Sequence, residues 1–113
     1  MTDIELLRRA YDLFNARDID GLLALMRDDV AWANGMEGGH VCGRDAVRAY
    51  WTRQWAAIDP RVEPLGFTTG PEGEVVVEVH QVVRDLAGSI LVDRVVSHIF
   101  HFENEVIRRF DIR

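Results

Sequence analysis

The apolar positions in the first half of the chain recur every three or four residues, which is the spacing of an amphipathic helix. Three helices are predicted on this basis, at residues 3–16, directly after Asp18, and at residues 44–58. Thr2 and Glu5 form a capping box, Asp18 caps the second helix, and Pro60 terminates the third. Each helix buries one apolar stripe. The stripes are Ile4, Leu7, Tyr11 and Phe14; Ile19, Leu22, Leu23 and Met26; and Val47, Trp51, Trp55 and Ile58.

The rest of the chain follows the two-residue alternation of β-strands. A short strand is predicted at residues 30–34, followed by a glycine-rich loop at residues 35–43. Longer strands are predicted at residues 62–69, 74–86, 89–102 and 106–112. Helices followed by antiparallel strands indicate the α+β class, and the length indicates a single domain of residues 1–113.

Composition narrows the classes of function. The chain has 113 residues and a formal net charge of −6, so no nucleic-acid partner is expected, because phosphate backbones call for clustered cations. Lysine is absent, which excludes Schiff-base chemistry, and a single cysteine excludes an internal disulfide. No segment resembles a signal peptide or a membrane span, so we expect no membrane partner and a cytoplasmic location.

The closing hairpin carries the most informative chemistry. One face of its first strand presents Val96, His98, Phe100 and Phe102, so an ionisable imidazole lies in an apolar row. A buried imidazole must find a partner or stay neutral, because an unpaired buried charge is costly. The same surroundings suit acid–base chemistry. The hairpin is therefore predicted to bound a pocket.

Three segments resemble the nuclear transport factor 2-like superfamily, and within it the SnoaL-like and ketosteroid-isomerase-like proteins. They are residues 11–30 (YDLFNARDIDGLLALMRDDV), 43–50 (GRDAVRAY) and 98–107 (HIFHFENEVI). The resemblance implies a cone-shaped, curved, mostly antiparallel sheet packed on three N-terminal helices. It also implies a pocket at the open end of the cone, and a homodimer.

The resemblance also suggests roles for individual residues. Asn34 occupies the position of the catalytic aspartate of ketosteroid isomerases, and an amide cannot act as a general base. Tyr11 and His98 lie near the positions of the oxyanion-binding groups of those enzymes. SnoaL-like cyclases pair a terminal-strand aspartate with a histidine on the neighbouring strand, and Asp111 and His98 resemble that pair. A steroid-isomerase activity is therefore disfavoured.

The register of the last strand decides whether this pair forms. A two-residue turn at residues 104–105 places His98 opposite Asp111, with Cβ atoms about 5 Å apart. The apolar pattern of the last strand favours a register slipped by one residue, which turns every side chain of that strand to the opposite face of the sheet. In that register His98 would need Glu78, Tyr11 or water as its partner. Both alternatives remain open at this level.

The leading functional hypothesis is a cofactor-independent isomerase- or cyclase-like enzyme that removes a proton next to a carbonyl group. Asp111 would be the base and His98 the donor to the enolate oxygen. No metal is expected, because His98 and His101 point to opposite faces of one strand. The alternative is a non-catalytic module that binds a small molecule or forms a dimer. The residues expected to contact the small-molecule ligand are Tyr11, Trp32, Asn34, Trp51, Trp55, His80 and Phe100.

Overall fold

The computed structural model describes residues 2–113, and Met1 lies outside the described residues. Three helices precede or interrupt a set of six strands within this range. The helices are α1 (Asp3–Asn15), α2 (Ile19–Leu23) and α3 (Arg44–Ala57). The strands are β1 (Met26–Ala33), β2 (His40–Cys42), β3 (Ile58–Thr69), β4 (Val75–Asp85), β5 (Ile90–Glu103) and β6 (Val106–Ile112). The predicted α+β class is confirmed.

Two of the helices begin at side-chain caps that the sequence predicts. The Thr2 hydroxyl accepts a hydrogen bond of 3.1 Å from the backbone N–H of Glu5. The Asp18 carboxylate accepts one of 2.9 Å from the backbone N–H of Gly21. Each cap typically stabilises a helix by about 1 kcal/mol. Among the described residues, no helix has the length and apolar character needed to cross a membrane.

The six strands form one open sheet in the order β2-β1-β6-β5-β4-β3. Neighbouring strands run antiparallel except β1 and β6, which are parallel. The helices pack on one face of the sheet, called the inner face below, and the opposite face is called the outer face. The core lies between the helices and the inner face, where Leu7, Val47 and Trp51 are fully buried.

Two local features differ from the predicted elements. Pro60 does not terminate α3, which ends at Ala57; it lies inside β3 opposite Val83. Because β3 is an edge strand, a residue without an N–H donor is tolerated there. The loop predicted at residues 35–43 contains a short strand, β2, which pairs with β1. Its three residues are too few for a period of two to be visible in the sequence.

The turn between β5 and β6 has the predicted length. Asn104 and Glu105 both have positive φ angles, 53° and 67°, as a two-residue hairpin turn requires. Glu103 and Val106 pair across the turn, as predicted.

A β-bulge at Arg108 then changes the register. Phe102 pairs with Ile107, but His101 pairs with Arg109, so Arg108 has no partner of its own. A bulge inserts one residue on one strand and locally bends it.

Of the two alternatives that the sequence left open, the one that places His98 opposite Asp111 is therefore wrong. His98 lies opposite Ile112, and Asp111 lies opposite Ile99. The physical reason is burial, because Ile107 and Phe110 are 0% and 4% exposed and both face the core. Side chains of a regular strand alternate between its two faces, so residues three apart point to opposite faces. Ile107 and Phe110 can share a face because the bulge adds one residue between them.

Helix α1 is attached to the edge strand by a reciprocal contact. The Asn15 side chain donates to the Val62 carbonyl at 2.7 Å and accepts from the Val62 N–H at 3.1 Å. This contact satisfies backbone groups that β3, as an edge strand, would otherwise leave unpaired. It also fixes the C-terminal end of α1, so that Tyr11, one turn earlier, faces the inner surface of the sheet.

The bulged register makes a prediction about stability. Phe110→Ala should lower the free energy of unfolding by about 3–5 kcal/mol, because truncating a packed aromatic ring leaves a cavity. Arg108→Ala, which changes the exposed bulge residue, should alter it by no more than about 0.5 kcal/mol. Urea denaturation followed by circular dichroism measures both values. A similar, small effect of the two substitutions would contradict the register, since Phe110 would then face outward.

Candidate functional site

A cavity of about 340 Å³ lies between the helices and the inner face of the sheet. Its walls come from α1, α2, α3 and the inner-facing residues of all strands except β2. Most of the lining side chains are apolar or aromatic. Cavities of this size and character are typical of small-molecule sites.

The polar centre of the cavity wall is a tyrosine–histidine pair. The Tyr11 hydroxyl and His98 Nδ1 are 2.8 Å apart and hydrogen-bonded. Both residues are only 5% exposed, and their rings are nearly parallel, with an interplanar angle of 6°. His98 Nε2 makes no hydrogen bond with the protein within residues 2–113, so it can bind a ligand.

Burial keeps both members of the pair uncharged at neutral pH. Desolvation lowers the pKa of His98 from 6.5 to about 4, and desolvation raises the pKa of Tyr11. Two arrangements of the shared proton are possible. If Tyr11 donates to Nδ1, then Nε2–H is a donor for a ligand. If Nδ1–H donates to Tyr11, then the tyrosine hydroxyl is the donor and Nε2 an acceptor.

No Asp or Glu side chain in the described part of the chain lines the cavity. Asp111 lies on the outer face, where it accepts hydrogen bonds from His40 at 2.7 Å and Arg109 at 2.9 Å. Partial burial tends to raise the Asp111 pKa, but these two bonds outweigh it and the pKa is lowered. Glu78 is also directed to the outer face, where it accepts from Ser97 at 2.6 Å. Of the side chains considered as partners for His98, only Tyr11 is in place.

Three of the predicted ligand contacts lie on the cavity wall together with His98. Tyr11, Trp32 and Trp51 line the cavity, and the two indoles pack edge to face with ring centres 5.2 Å apart. Their contact with a ligand stays a prediction.

The other predicted contacts lie elsewhere. The side-chain oxygen Oδ1 of Asn34 accepts from the backbone N–H groups of Met36 and Glu37, so Asn34 closes the β1–β2 turn. His80 lies on the outer face, because His98 pairs with Val77 and only odd-numbered β4 residues share its side. There His80 binds Asp93 at 2.7 Å.

Of the two remaining aromatic residues, Phe100 belongs to the core, and Trp55 is partly buried and packs against it. Trp55 stacks on Trp51 with ring centres 5.7 Å apart, and neither Trp55 nor Phe100 lines the cavity. Phe100 is 3% exposed and packs against Tyr11 and Phe110. Periodicity marks such residues as inward-facing, but it does not distinguish a cavity wall from a filled core.

Four polar residues of the cavity wall were not predicted: Tyr50, Gln54, Gln81 and Arg94. The Tyr50 hydroxyl accepts from the Gly35 N–H at 3.0 Å and from Gln54 at 3.1 Å. The sequence does contain a signal for Arg94. It lies an even number of residues from His98 on the same strand, so it interrupts the inward-facing apolar row.

Three buried polar atoms on the cavity-lining helix α3 lack a protein partner. They are Nε1 of Trp51, Nε1 of Trp55 and Oε1 of Gln54. A buried donor or acceptor left unpaired costs about 1–3 kcal/mol, and such groups in native proteins usually meet water or a ligand. Trp51 and Gln54 line the cavity with other parts of their side chains, whereas these unpaired atoms are themselves covered.

Comparison with known proteins agrees with this architecture. The chain belongs to the SnoaL-like domain family, and the match spans residues 7–110. This confirms the resemblance predicted from the sequence. A search of curated proteins found no match.

Solved structures share the whole fold. An NTF2-like protein of unknown function from Burkholderia pseudomallei is 28% identical, with a TM-score of 0.87 over 100% of this chain and 91% of that chain. TerC, co-crystallised with polyporic acid, is 24% identical, with a TM-score of 0.85 over 98% of this chain and 89% of that chain.

A Mycobacterium tuberculosis protein in complex with estradiol-17beta-hemisuccinate is 18% identical, with a TM-score of 0.81 over 95% of this chain and 88% of that chain. At these low identities, the similarity to TerC and to the mycobacterial protein shows the fold alone.

The lowered pKa of His98 predicts a pH dependence of stability. As pH falls from 6.5 towards 4, the unfolded chain binds a proton at this imidazole before the folded protein does. The free energy of unfolding therefore decreases as the pH falls through this range, by up to about 1.4 kcal/mol per pH unit. Unfolding free energies of wild type and His98→Gln, measured between pH 7 and pH 4, should converge as the pH falls.

The matched control is His80→Gln, which removes an imidazole from the outer face. Its free energy of unfolding should still decrease with falling pH, because His98 is intact. If the unfolding free energies of wild type and His98→Gln differed by a constant amount from pH 7 to pH 4, a buried, neutral His98 would be contradicted.

Proposed function

We propose that the protein binds a compact, largely apolar carbonyl compound in the cavity, with the Tyr11–His98 pair donating a hydrogen bond to the carbonyl oxygen. The observation that carries the proposal is this uncharged, hydrogen-bonded pair at 2.8 Å in an otherwise apolar wall. Both proton arrangements of the pair present a donor to the cavity. A carbonyl oxygen is the group that matches such a donor.

The remaining polar atoms support a ligand of mixed character. Tyr50 and Gln81 also line the cavity, and their side chains would contact a polar group elsewhere on the ligand. The aromatic residues Trp32 and Phe110, stacked with ring centres 4.1 Å apart, form an apolar wall suited to a ring system. Two proteins of the same fold were crystallised with small molecules, polyporic acid and estradiol-17beta-hemisuccinate.

A second candidate function is catalysis of proton abstraction next to the carbonyl group. With Asp111 on the outer face, the base would be His98 Nε2, and the Tyr11 hydroxyl would stabilise the enolate oxygen. An imidazole with a pKa of about 4 is uncharged at neutral pH but is a weak base. Efficient bases have pKa values near the working pH. For this reason binding is proposed first and catalysis second.

A homodimer is inferred from the family resemblance and stays a prediction, as do the cytoplasmic location and the lack of a nucleic-acid partner.

Binding can be tested with prodan, 6-propionyl-2-(dimethylamino)naphthalene, a neutral fluorescent ketone with a flat ring system. Tyr11→Phe should raise its dissociation constant roughly threefold to tenfold, because it removes either the donating hydroxyl or the hydrogen bond that holds His98 Nε2–H in place, at about 1 kcal/mol. Val92→Trp, at the cavity wall, should abolish binding by filling the cavity. Fluorescence titration measures each constant.

The control for prodan binding is Asp111→Asn, which alters only the outer face and should leave the dissociation constant unchanged. Equal prodan affinity in wild type and Val92→Trp would rule out the cavity as the binding site.

The same ketone tests catalysis, since its propionyl group carries exchangeable protons next to the carbonyl. In D₂O, wild-type protein should accelerate the exchange of these protons, and His98→Gln should reduce the acceleration by about 10²-fold or more. Proton NMR of prodan measures the rate. Tight binding without any acceleration would leave the binding function and eliminate the catalytic one.

A further inference from the structure

Arg94 is the only charged residue, within residues 2–113, that lines the cavity. It lies on the inner face of β5, two residues before Val96 and four before His98, and opposite Gln81 on β4. Its side chain is exposed, so it stands at the mouth. No carboxylate of the described chain forms an ion pair with it.

The charge at this position runs against the composition of the chain. There are 19 acidic and 13 basic side chains, giving a net charge of −6. An anion approaching the protein at random is therefore repelled on average. No acidic side chain of residues 2–113 lines the cavity, whereas one cation does, and a cation at the entrance attracts anions locally.

Apolar side chains share the cavity mouth with Arg94 and its cross-strand neighbour Gln81. Met36, Leu91 and Ile112 line the cavity and are 45%, 57% and 41% exposed. They come from the β1–β2 turn, β5 and β6, so they border the mouth on more than one side. An apolar rim around a single guanidinium suits a molecule that has both a hydrophobic body and one anionic group.

We propose that the natural ligand is an elongated organic anion whose carboxylate, or equivalent group, binds Arg94, while its carbonyl end meets the Tyr11–His98 pair. The proposal rests on the ligand-binding function proposed above and specifies the substrate class. Arg94 and His98 are four residues apart on one strand face, so about 13 Å separates the two polar ends at about 3.3 Å per residue. Guanidinium groups bind carboxylates in a bidentate geometry that lysine cannot reproduce.

Two fluorescent probes that differ by one sulfonate isolate the contribution of Arg94. They are 8-anilinonaphthalene-1-sulfonate, an anion, and N-phenyl-1-naphthylamine, its neutral counterpart. Arg94→Gln should raise the dissociation constant of the anionic probe roughly threefold to tenfold, the range expected for a partly solvated charge-assisted contact. The neutral probe should change by less than about twofold, since it makes no ionic contact.

Two further variants control for charge and geometry. Arg108→Gln removes the same charge from the exposed outer bulge and should leave both probes unaffected. Arg94→Lys should restore part of the affinity for the anionic probe. Raising the salt concentration should weaken anion binding to wild type more than to Arg94→Gln.

The results separate this inference from the proposed function. Equal effects of Arg94→Gln on both probes, or no effect on the anionic one, would overturn the role of Arg94 while prodan binding in the cavity still stands. If neither probe nor prodan binds to wild type, the ligand-binding function fails and the anion proposal fails with it.

Discussion

The site depends on one packing constraint in the last strand, where Ile107 and Phe110 must both be buried although they are three residues apart. The bulge at Arg108 satisfies this constraint by adding one residue to β6. Burying two large apolar side chains stabilises the fold by several kcal/mol, at about 1.5–3 kcal/mol for each. The same bulge directs Asp111 to the outer face, where His40 and Arg109 bind it. The packing of the core thus removes a carboxylate from the cavity.

The absence of that carboxylate defines the chemistry of the pair that remains. An aspartate beside His98 would stabilise an imidazolium, whereas Tyr11 is a neutral partner. Without a compensating charge, desolvation dominates and the His98 pKa falls to about 4. The cavity therefore holds fixed, uncharged hydrogen-bonding groups. Such groups suit recognition or stabilisation of an oxygen atom more than removal of a proton from carbon.

The cavity is polarised along β5. Its inner end carries His98 and Tyr11, and its mouth carries Arg94 with an exposed apolar rim. Because alternate residues of one strand face the same side, a single strand sets the spacing between the two polar ends. Helix α3 contributes Tyr50, Trp51 and Gln54 to the cavity wall. A ligand that meets all three regions is elongated and amphiphilic.

The sequence by itself determined the helices, the long strands and the inward direction of Tyr11 and His98, because caps, periodicity and a two-residue turn are local signals. It also contained the apolar positions Val106, Phe110 and Ile112, but the turn and these positions favoured opposite registers. Only the tertiary structure reconciled them, since a bulge forms where core packing outweighs regular pairing. It also decided that Arg94 stands at a cavity mouth. Periodicity specifies which side of a strand a residue faces, whereas an empty space depends on how closely the helices approach the sheet.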